Sequence, residues 1–167
     1  MRLMLRSLLA ERFNLTLKHE MKEMPVYELT VAKNGPKLKK SSIEEKDCPN
    51  EGPSRCHVIN GGMGRGLHAA AADISDIIFF VGYWTDRPVI DKTGLPGLYE
   101  LDTEGWSPMR PRMPRPDGQQ SAEDIAFSDP ARPTLFMILD RLGLKMESRK
   151  GSVETFVIER ADRPTPN

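Results

Sequence analysis

Residues 138–147 read ILDRLGLKME, and this stretch decides the fold class. Its first half has apolar residues at the spacing of one helix face, and that pattern ends at Leu142. Gly143 follows, and glycine best tolerates the left-handed position that closes a helix. From Leu144 onward apolar and charged residues alternate with the period of a strand. The stretch therefore predicts a helix that leads directly into a strand.

A second stretch, residues 8–18, reads LLAERFNLTLK and repeats this order. Its helical pattern ends at Phe13, and Asn14 stands where the other stretch has its glycine. Alternation resumes at Leu15. The matched closing residue and strand phase indicate a diverged duplication. Chance is the alternative, because a helix followed by a hairpin is a common local motif.

Each strand is predicted to turn and return as a hairpin. The first returns through residues 25–31, and the second turns at residues 150–152 and returns through residues 153–158. Both return segments are rich in β-branched and aromatic residues, which favour strands. Each copy of the repeat is therefore predicted to be a helix-then-hairpin unit.

Further elements are predicted between the copies. They are a strand at 67–71, a helix from residue 74 to about 84 with Asp73 as its N-cap, a strand at 88–91 and a strand from 98 to 102. Residues 67–160 therefore read β-α-β-β-α-β-β. This order predicts an α+β fold with small mixed or antiparallel sheets and helices packed on one face.

The predicted organisation has four parts. Residues 1–40 form a helix plus β-hairpin, interpreted as the remnant of a first module, and residues 41–66 form a loop with a possible disulfide. Residues 67–160 form the complete module with a proline-rich insertion at 107–131, and residues 161–167 form a tail. The first residues do not read as a signal peptide, because charged side chains interrupt the apolar run. We expect the chain to be part of a longer protein.

Charge and hydropathy argue against nucleic-acid binding and against a membrane-spanning segment. Lys and Arg number 24, as do Asp and Glu, and this balance predicts no general binding to nucleic acid. No apolar run approaches the roughly 20 residues that a membrane helix needs, so no integral membrane segment is predicted. The basic run at 33–40 and the basic, proline-rich run at 107–116 are interpreted as solvated loops.

Cys48 and Cys56 are the only cysteines, and they flank a turn-rich segment. In an exported protein two such cysteines most simply form a disulfide. A metal site that includes His57 is one alternative, although the paired spacing typical of zinc sites is absent. Two free thiols are the expectation for a cytosolic chain.

Three other motifs suggest chemistry and favour a structural interpretation. Residues 91–94 read DKTG, the start of the aspartyl-phosphate motif of P-type ATPases, but a strand end and turn at Asp91 fit better. The glycine-rich residues 61–66 neither follow a strand nor open a helix, so a flexible loop is predicted there. The histidines are not paired at metal spacing; they are His19, His57 and His68. The sequence thus predicts no catalytic residue, cofactor-binding residue, cofactor or metal ligand.

Five segments together resemble a soil-associated bacterial family of unknown function that is expanded as paralogues in acidobacterial genomes. They are residues 8–13, 25–27, 35–38, 87–95 and 142–145. Members of that family generally carry an export signal, so the resemblance implies a periplasmic or secreted location for the full-length protein. By element order alone, the second module also resembles the short N-terminal domain of secretins and TonB-dependent receptors. That resemblance implies a periplasmic protein-interaction module.

These observations predict a non-enzymatic extracytoplasmic module that binds a protein or cell-envelope partner. One alternative is a hydrolase with a site between the two units that uses His19 or Asp91. Another is the ligand-sensing domain of a membrane signalling system, which would have an apolar pocket. An open strand edge in the first unit also predicts pairing with a second copy.

Overall fold

A computed structural model describes residues 2–49, 54–107 and 131–163 of the chain. Within these residues there are three helices, α1 (Arg2–Phe13), α2 (Ile74–Gly82) and α3 (Leu135–Arg141). The strands are β1 (Thr16–Val31), β2 (Lys39–Lys40), β3 (Asn60–Gly62), β4 (Gly66–Ala72), β5 (Val89–Asp91), β6 (Tyr99–Asp102) and β7 (Leu144–Arg160). They form two small sheets, which confirms the predicted α+β class.

The chain divides into two compact units. The terminal unit comprises Met1–Pro25 and Lys150–Asn167, and the central unit comprises Val26–Arg149. The two longest strands, β1 and β7, each contribute a segment to both units. The duplication of a helix-then-strand unit stays a prediction.

Two sheets organise the central unit. The four-stranded sheet has the order β2-β6-β4-β3, and all of its neighbours are antiparallel. The three-stranded sheet has the order β5-β1-β7. There β5 runs parallel to β1 and pairs with it from Tyr27 to Leu29.

The core of the central unit is one cluster between these sheets and the helices α2 and α3. Each helix buries three apolar side chains, and Trp106 is the largest fully buried residue. Helix α2 begins as predicted, because Asp73 accepts a hydrogen bond from the Asp76 N–H and Asp76 accepts one from the Asp73 N–H. This capping box satisfies two backbone donors that the first turn leaves free.

The two predicted hairpins are wrong. Residues 16–31 form the single strand β1, and residues 144–160 form the single strand β7. The strands pair with each other instead of folding back on themselves. Strand pairing supplies the backbone hydrogen bonds that a local hairpin would have supplied, so neither chain segment needs a turn. The predicted β-α-β-β-α-β-β order therefore loses its last strand.

The predicted left-handed residues are confirmed. Asn14, directly after α1, has φ 46°, and Gly143, which follows the C-cap residue Leu142 of α3, has φ 73°. A side chain at Gly143 would run into the backbone of residues 35–37. Glycine is therefore required at that position for two reasons, the dihedral angle and the close approach of a neighbouring loop.

Two segments interpreted as loops belong to the four-stranded sheet. Strands β3 and β4 pair as a hairpin from Asn60 to His68, so the glycine-rich residues 61–66 make its tip and not a flexible loop. Part of the basic run is strand β2, where Lys39 pairs with Glu100. The proline-rich insertion predicted at 107–131 lies outside the described residues except for its two ends.

Candidate functional site

The two cysteines lie together in the central unit. Their Sγ atoms are at bonding distance, 2.11 Å, and their Cα atoms are 5.8 Å apart, within the range of protein disulfides. Cys56 is buried with Ala71 and Leu98 in a small apolar cluster separate from the main core. Cys48 directly follows a 3-10 turn, Glu45–Asp47. The pair therefore ties that turn to the four-stranded sheet.

His57 lies next to this pair and contacts acidic groups from two other segments. Its Nδ1 is 2.7 Å from Oδ2 of Asp76, in the first turn of α2, and its Nε2 is 3.0 Å from Oε1 of Glu45, in the 3-10 turn. A second carboxylate oxygen, on Asp73, is 4.0 Å from Nδ1. The His57 N–H donates to the Ala71 carbonyl at 2.7 Å, which anchors the residue to β4. We call His57, Glu45, Asp73 and Asp76 the histidine cluster.

The carboxylates set the charge of this cluster. Hydrogen bonds to Asp76 and then to Glu45 raise the pKa of His57 above its ordinary value of 6.5, although burial opposes the shift. The pKa of Asp73 is lowered overall. Burial, the largest single influence, would raise it, but hydrogen bonds from Ser75 and from the Asp76 N–H, together with the charge on His57, outweigh burial. The raised pKa of His57 and the lowered pKa of Asp73 both favour a protonated imidazolium ring next to ionised carboxylates.

The histidine cluster is also the place where a metal ion would be considered. Donor atoms of His57, Asp73 and Asp76 lie within 4.8 Å of one another, as do those of Glu45, Cys48 and His57. However, Asp73 and Asp76 already accept backbone hydrogen bonds at the N-terminus of α2, so part of their acceptor capacity is used within the fold. The sulfur of Cys48 is engaged with that of Cys56. We therefore interpret the group as a hydrogen-bonded charge cluster.

A groove of about 660 Å³ is lined in part by residues of the four-stranded sheet. Strands β4 and β6 provide one side, which includes His68 and Asp102, and these two side chains are paired at 2.9 Å. The segments on either side of the cysteine pair provide the other side, which includes Ile43, Arg55 and Val58. The lining mixes charged, polar and apolar groups, so it is not the apolar pocket expected of the ligand-sensing alternative.

The aspartate of the DKTG motif has a structural role. Asp91 ends β5, and its carboxylate accepts hydrogen bonds from the N–H and the hydroxyl of Thr93, both at 2.8 Å. The hydroxyl oxygen of Thr93 in turn accepts a hydrogen bond from the N–H of Leu95 at 3.2 Å. This geometry confirms the predicted turn.

His19 and Asp91, named for the hydrolase alternative, have separate local partners. His19 belongs to the terminal unit, where its Nδ1 lies 2.7 Å from Oε1 of Glu154 and its ring packs edge-on against Phe156 at 4.6 Å. Asp91 belongs to the central unit and is engaged in the turn. No arrangement of nucleophile and base follows from these contacts.

The terminal unit presents apolar side chains to solvent. Every residue that is fully buried in the described part of the chain lies between Val26 and Met146, inside the central unit. In the terminal unit, the exposed fractions are 65% for Met21, 60% for Phe156 and 63% for Ile158. Leu5 and Leu8 of α1 are also at least half exposed.

Three of these side chains share one face of the ribbon formed by β1 and β7. Phe156 contacts His19, and Met21 and Ile158 lie two residues from these contact partners, so alternation places them on the same side. We call Met21, Phe156 and Ile158, with His19 among them, the ribbon face. The pairing that assembles this face joins distant segments of the chain.

None of the helices in the described part of the chain has the length and apolar character that crossing a membrane requires. No curated protein and no solved structure matches the chain. The model of one family, DUF3738, a protein family of unknown function, matches residues 1–161. Because that match covers nearly the whole sequence, the chain belongs to the DUF3738 family.

Proposed function

We propose that this protein is a non-enzymatic extracytoplasmic module that binds a protein partner through its terminal unit. The observation that carries the proposal is the contrast in burial. The central unit contains all the fully buried residues of the described chain, and the terminal unit exposes Met21, Phe156 and Ile158. Exposed apolar side chains gathered on one face are typical of interaction surfaces.

The elements of the terminal unit depend on other structure for stability. A 12-residue helix is marginal in water by itself, and so is a two-stranded ribbon. Helix α1 exposes Leu5 and Leu8, which fall on the stripe that an amphipathic helix buries. A bound partner would remove this apolar surface from water and gain roughly 25 cal/mol for each Å² covered.

Open strand edges favour a protein partner over a small ligand. In the described sheet β7 pairs only with β1, and β1 pairs with β5 only from Tyr27 to Leu29. Along the terminal unit, both edges of the ribbon are therefore open within the described sheet, and an open edge is a template for strand addition. A second copy of the chain would meet the same requirement, so a homodimer is one form of the proposal.

The proposed extracytoplasmic location rests on the cysteines and on the family resemblance. A disulfide between Cys48 and Cys56 persists in an oxidising compartment, where its short loop would stabilise the fold by about 2–3 kcal/mol. The resemblance to exported proteins of soil bacteria agrees with that location. The resemblance to the short N-terminal domain of secretins and TonB-dependent receptors rested on element order alone, and the single strand β7 in place of the last predicted hairpin removes that support.

Site-specific photo-crosslinking tests the proposal. A photo-reactive phenylalanine analogue replaces Phe156 on the ribbon face, and in a separate variant it replaces Phe79 on α2. Phe79 is the matched control because its exposed fraction is 59% against 60% for Phe156. Irradiation of cells that express each variant, followed by mass spectrometry, identifies covalent partners.

We expect a discrete crosslinked species from position 156 and none from position 79. A species that contains two copies of this chain would identify the partner as the protein itself. If position 156 gives no crosslink, or both positions give the same products, the terminal unit is not the binding surface. A purified protein that turns over a substrate would contradict the non-enzymatic part of the proposal.

A further inference from the structure

We propose that His57 is a pH-dependent clasp: its doubly protonated ring holds the Glu45–Asp47 turn to the N-terminus of α2, and loss of one ring proton loosens that turn. The inference does not rest on the proposed function of the terminal unit. All residues involved belong to the central unit. It rests on which atoms the two ring nitrogens contact.

Both nitrogens of His57 face carboxylate oxygens, at 2.7 Å for Asp76 and 3.0 Å for Glu45. A carboxylate can only accept hydrogen bonds, and a neutral imidazole has only one N–H to donate. The observed contacts are both satisfied only when His57 carries two protons. Deprotonation would leave an unprotonated nitrogen facing a carboxylate oxygen, and one of the two contacts would be lost.

The charged groups around the ring reinforce this dependence. The 3-10 turn contributes Glu45, and the N-terminus of α2 contributes Asp73 and Asp76. The nearest lysine of the turn, Lys46, pairs with Glu44 at 2.6 Å. Among the described residues, the charged side chains paired with the ring are therefore all anionic, and they attract the imidazolium but not the neutral ring.

The sign of the pH dependence follows from the raised pKa. The native state binds the second proton more tightly than the unfolded chain does, so the clasp contributes its full stability below the ordinary value of 6.5. That contribution is lost as the pH rises through the raised pKa of the folded protein. Mild alkalinisation is thus the condition that opens the clasp.

Loosening the turn would also affect the groove, because the two are linked through the cysteine pair. Cys48 follows the turn directly, and Arg55 and Val58, which lie on either side of Cys56 and His57, line the groove. The cysteine pair remains a second tie between the turn and β4. Opening the clasp is therefore expected to loosen the turn without detaching it.

NMR of the uniformly ¹⁵N-labelled protein tests the clasp. The ring nitrogens of His57 and the amides of Asp47 and Cys48 are followed from mildly acidic to mildly alkaline pH. Those amides donate to the carbonyls of Glu44 and Glu45, so they report the integrity of the turn. The variant Glu45→Gln removes one facing charge. Glu44→Gln is the matched control, because Glu44 pairs with Lys46 and not with His57.

We expect His57 to titrate above 6.5, and the two amides to shift with the same midpoint. Glu45→Gln should lower that midpoint by up to about one pH unit, and Glu44→Gln should leave it unchanged. A His57 midpoint at or below 6.5, amides that do not follow it, or equal effects of the two variants would overturn the proposal.

A zinc titration of the same sample separates the clasp from a metal centre. If the cluster is a clasp, an equimolar addition of Zn²⁺ leaves the His57 resonances and their midpoint in place. Stoichiometric displacement of the ring proton by Zn²⁺ would instead assign His57, Asp73 and Asp76 as metal ligands and would overturn the clasp. Neither result depends on whether the terminal unit binds a partner.

Discussion

The central and terminal units are built from similar elements but differ in burial. Each contains helix and strand, and each takes a segment of β1 and of β7. In the central unit, helices α2 and α3 each bury three apolar residues against two sheets. In the terminal unit, none of the described residues of α1 or of the ribbon segments is buried. Similar local structure is therefore stabilised by a core in one unit only.

This difference indicates which unit provides the stability of the fold and which unit we propose for binding. A buried side chain contributes about 1.5–3 kcal/mol by leaving water, whereas a half-exposed one retains much of its contact with solvent. The central unit is expected to determine the free energy of unfolding. The terminal unit keeps apolar surface available for a second molecule, and the following substitutions test that division.

The largest difference is expected from leucine truncation. Leu139→Ala in α3 removes a fully buried side chain and should lower the free energy of unfolding by about 2–5 kcal/mol. Leu8→Ala in α1, where the side chain is 50% exposed, should lower it by no more than about 0.5 kcal/mol. Urea denaturation measures both values. Equal losses would mean that α1 is packed as tightly as α3.

The cysteine pair gives the second largest expected effect. Replacing both Cys48 and Cys56 by Ser should lower the free energy of unfolding by about 2–3 kcal/mol, because the unfolded chain regains the entropy that a short closed loop removes. Reductant should destabilise the wild type and leave the variant unaffected. Two titratable thiols in protein recovered from its native compartment would contradict the proposed disulfide.

Substitutions at the two helix-closing residues, Gly143 and Asn14, should change the free energy of unfolding by different amounts. Gly143→Ala forces a side chain into a positive φ and into the backbone of residues 35–37, and should cost about 1–3 kcal/mol. Asn14→Gly in the terminal unit eases its dihedral angle but removes the hydrogen bond to Asp162, so the net change should be about 0.5 kcal/mol or less. Thermal unfolding of the two variants compares the positions. A neutral Gly143→Ala would show that the loop at 35–37 moves aside.

The smallest expected effect belongs to the ribbon face. Phe156→Ser should change the free energy of unfolding by only about 0.5 kcal/mol, because the side chain is 60% exposed. Phe136→Ser is the matched comparison. Both phenylalanines make an edge-on ring contact, but Phe136 packs against the core of the central unit and should cost more. If Phe156→Ser cost as much as Phe136→Ser, the ribbon face would be buried in the free protein.

Local sequence patterns predicted the elements whose determinants lie within a few residues. The N-cap at Asp73, the strand at β4 and the left-handed closures at Asn14 and Gly143 are all short-range features, and the structure has each of them. The turn at Asp91 was predicted because its hydrogen bonds reach only two residues along the chain.

The histidine cluster could not be predicted in the same way. His57 showed no ligand spacing, because its carboxylates come from a 3-10 turn and from the start of α2. Asp76 was predictable as an acidic residue in a first helical turn, but that role does not reveal a contact with His57. The cluster exists because the cysteine pair and the bridge to Ala71 bring three segments together.

By itself, the sequence determined the α+β class, the start of α2 and the position of each closing residue, since those depend on side chains close along the chain. Only the tertiary structure decided that β1 and β7 continue through the segments predicted to turn. The reason is that an extended strand is stable wherever another strand supplies partners for its backbone N–H and C=O groups. Here that partner strand is more than one hundred residues away: the hydrogen bond from the Thr155 hydroxyl to the Glu20 carbonyl spans 135 residues. Such a pairing leaves no signal in the spacing of neighbouring residues, so the exposed ribbon face emerged only with the fold.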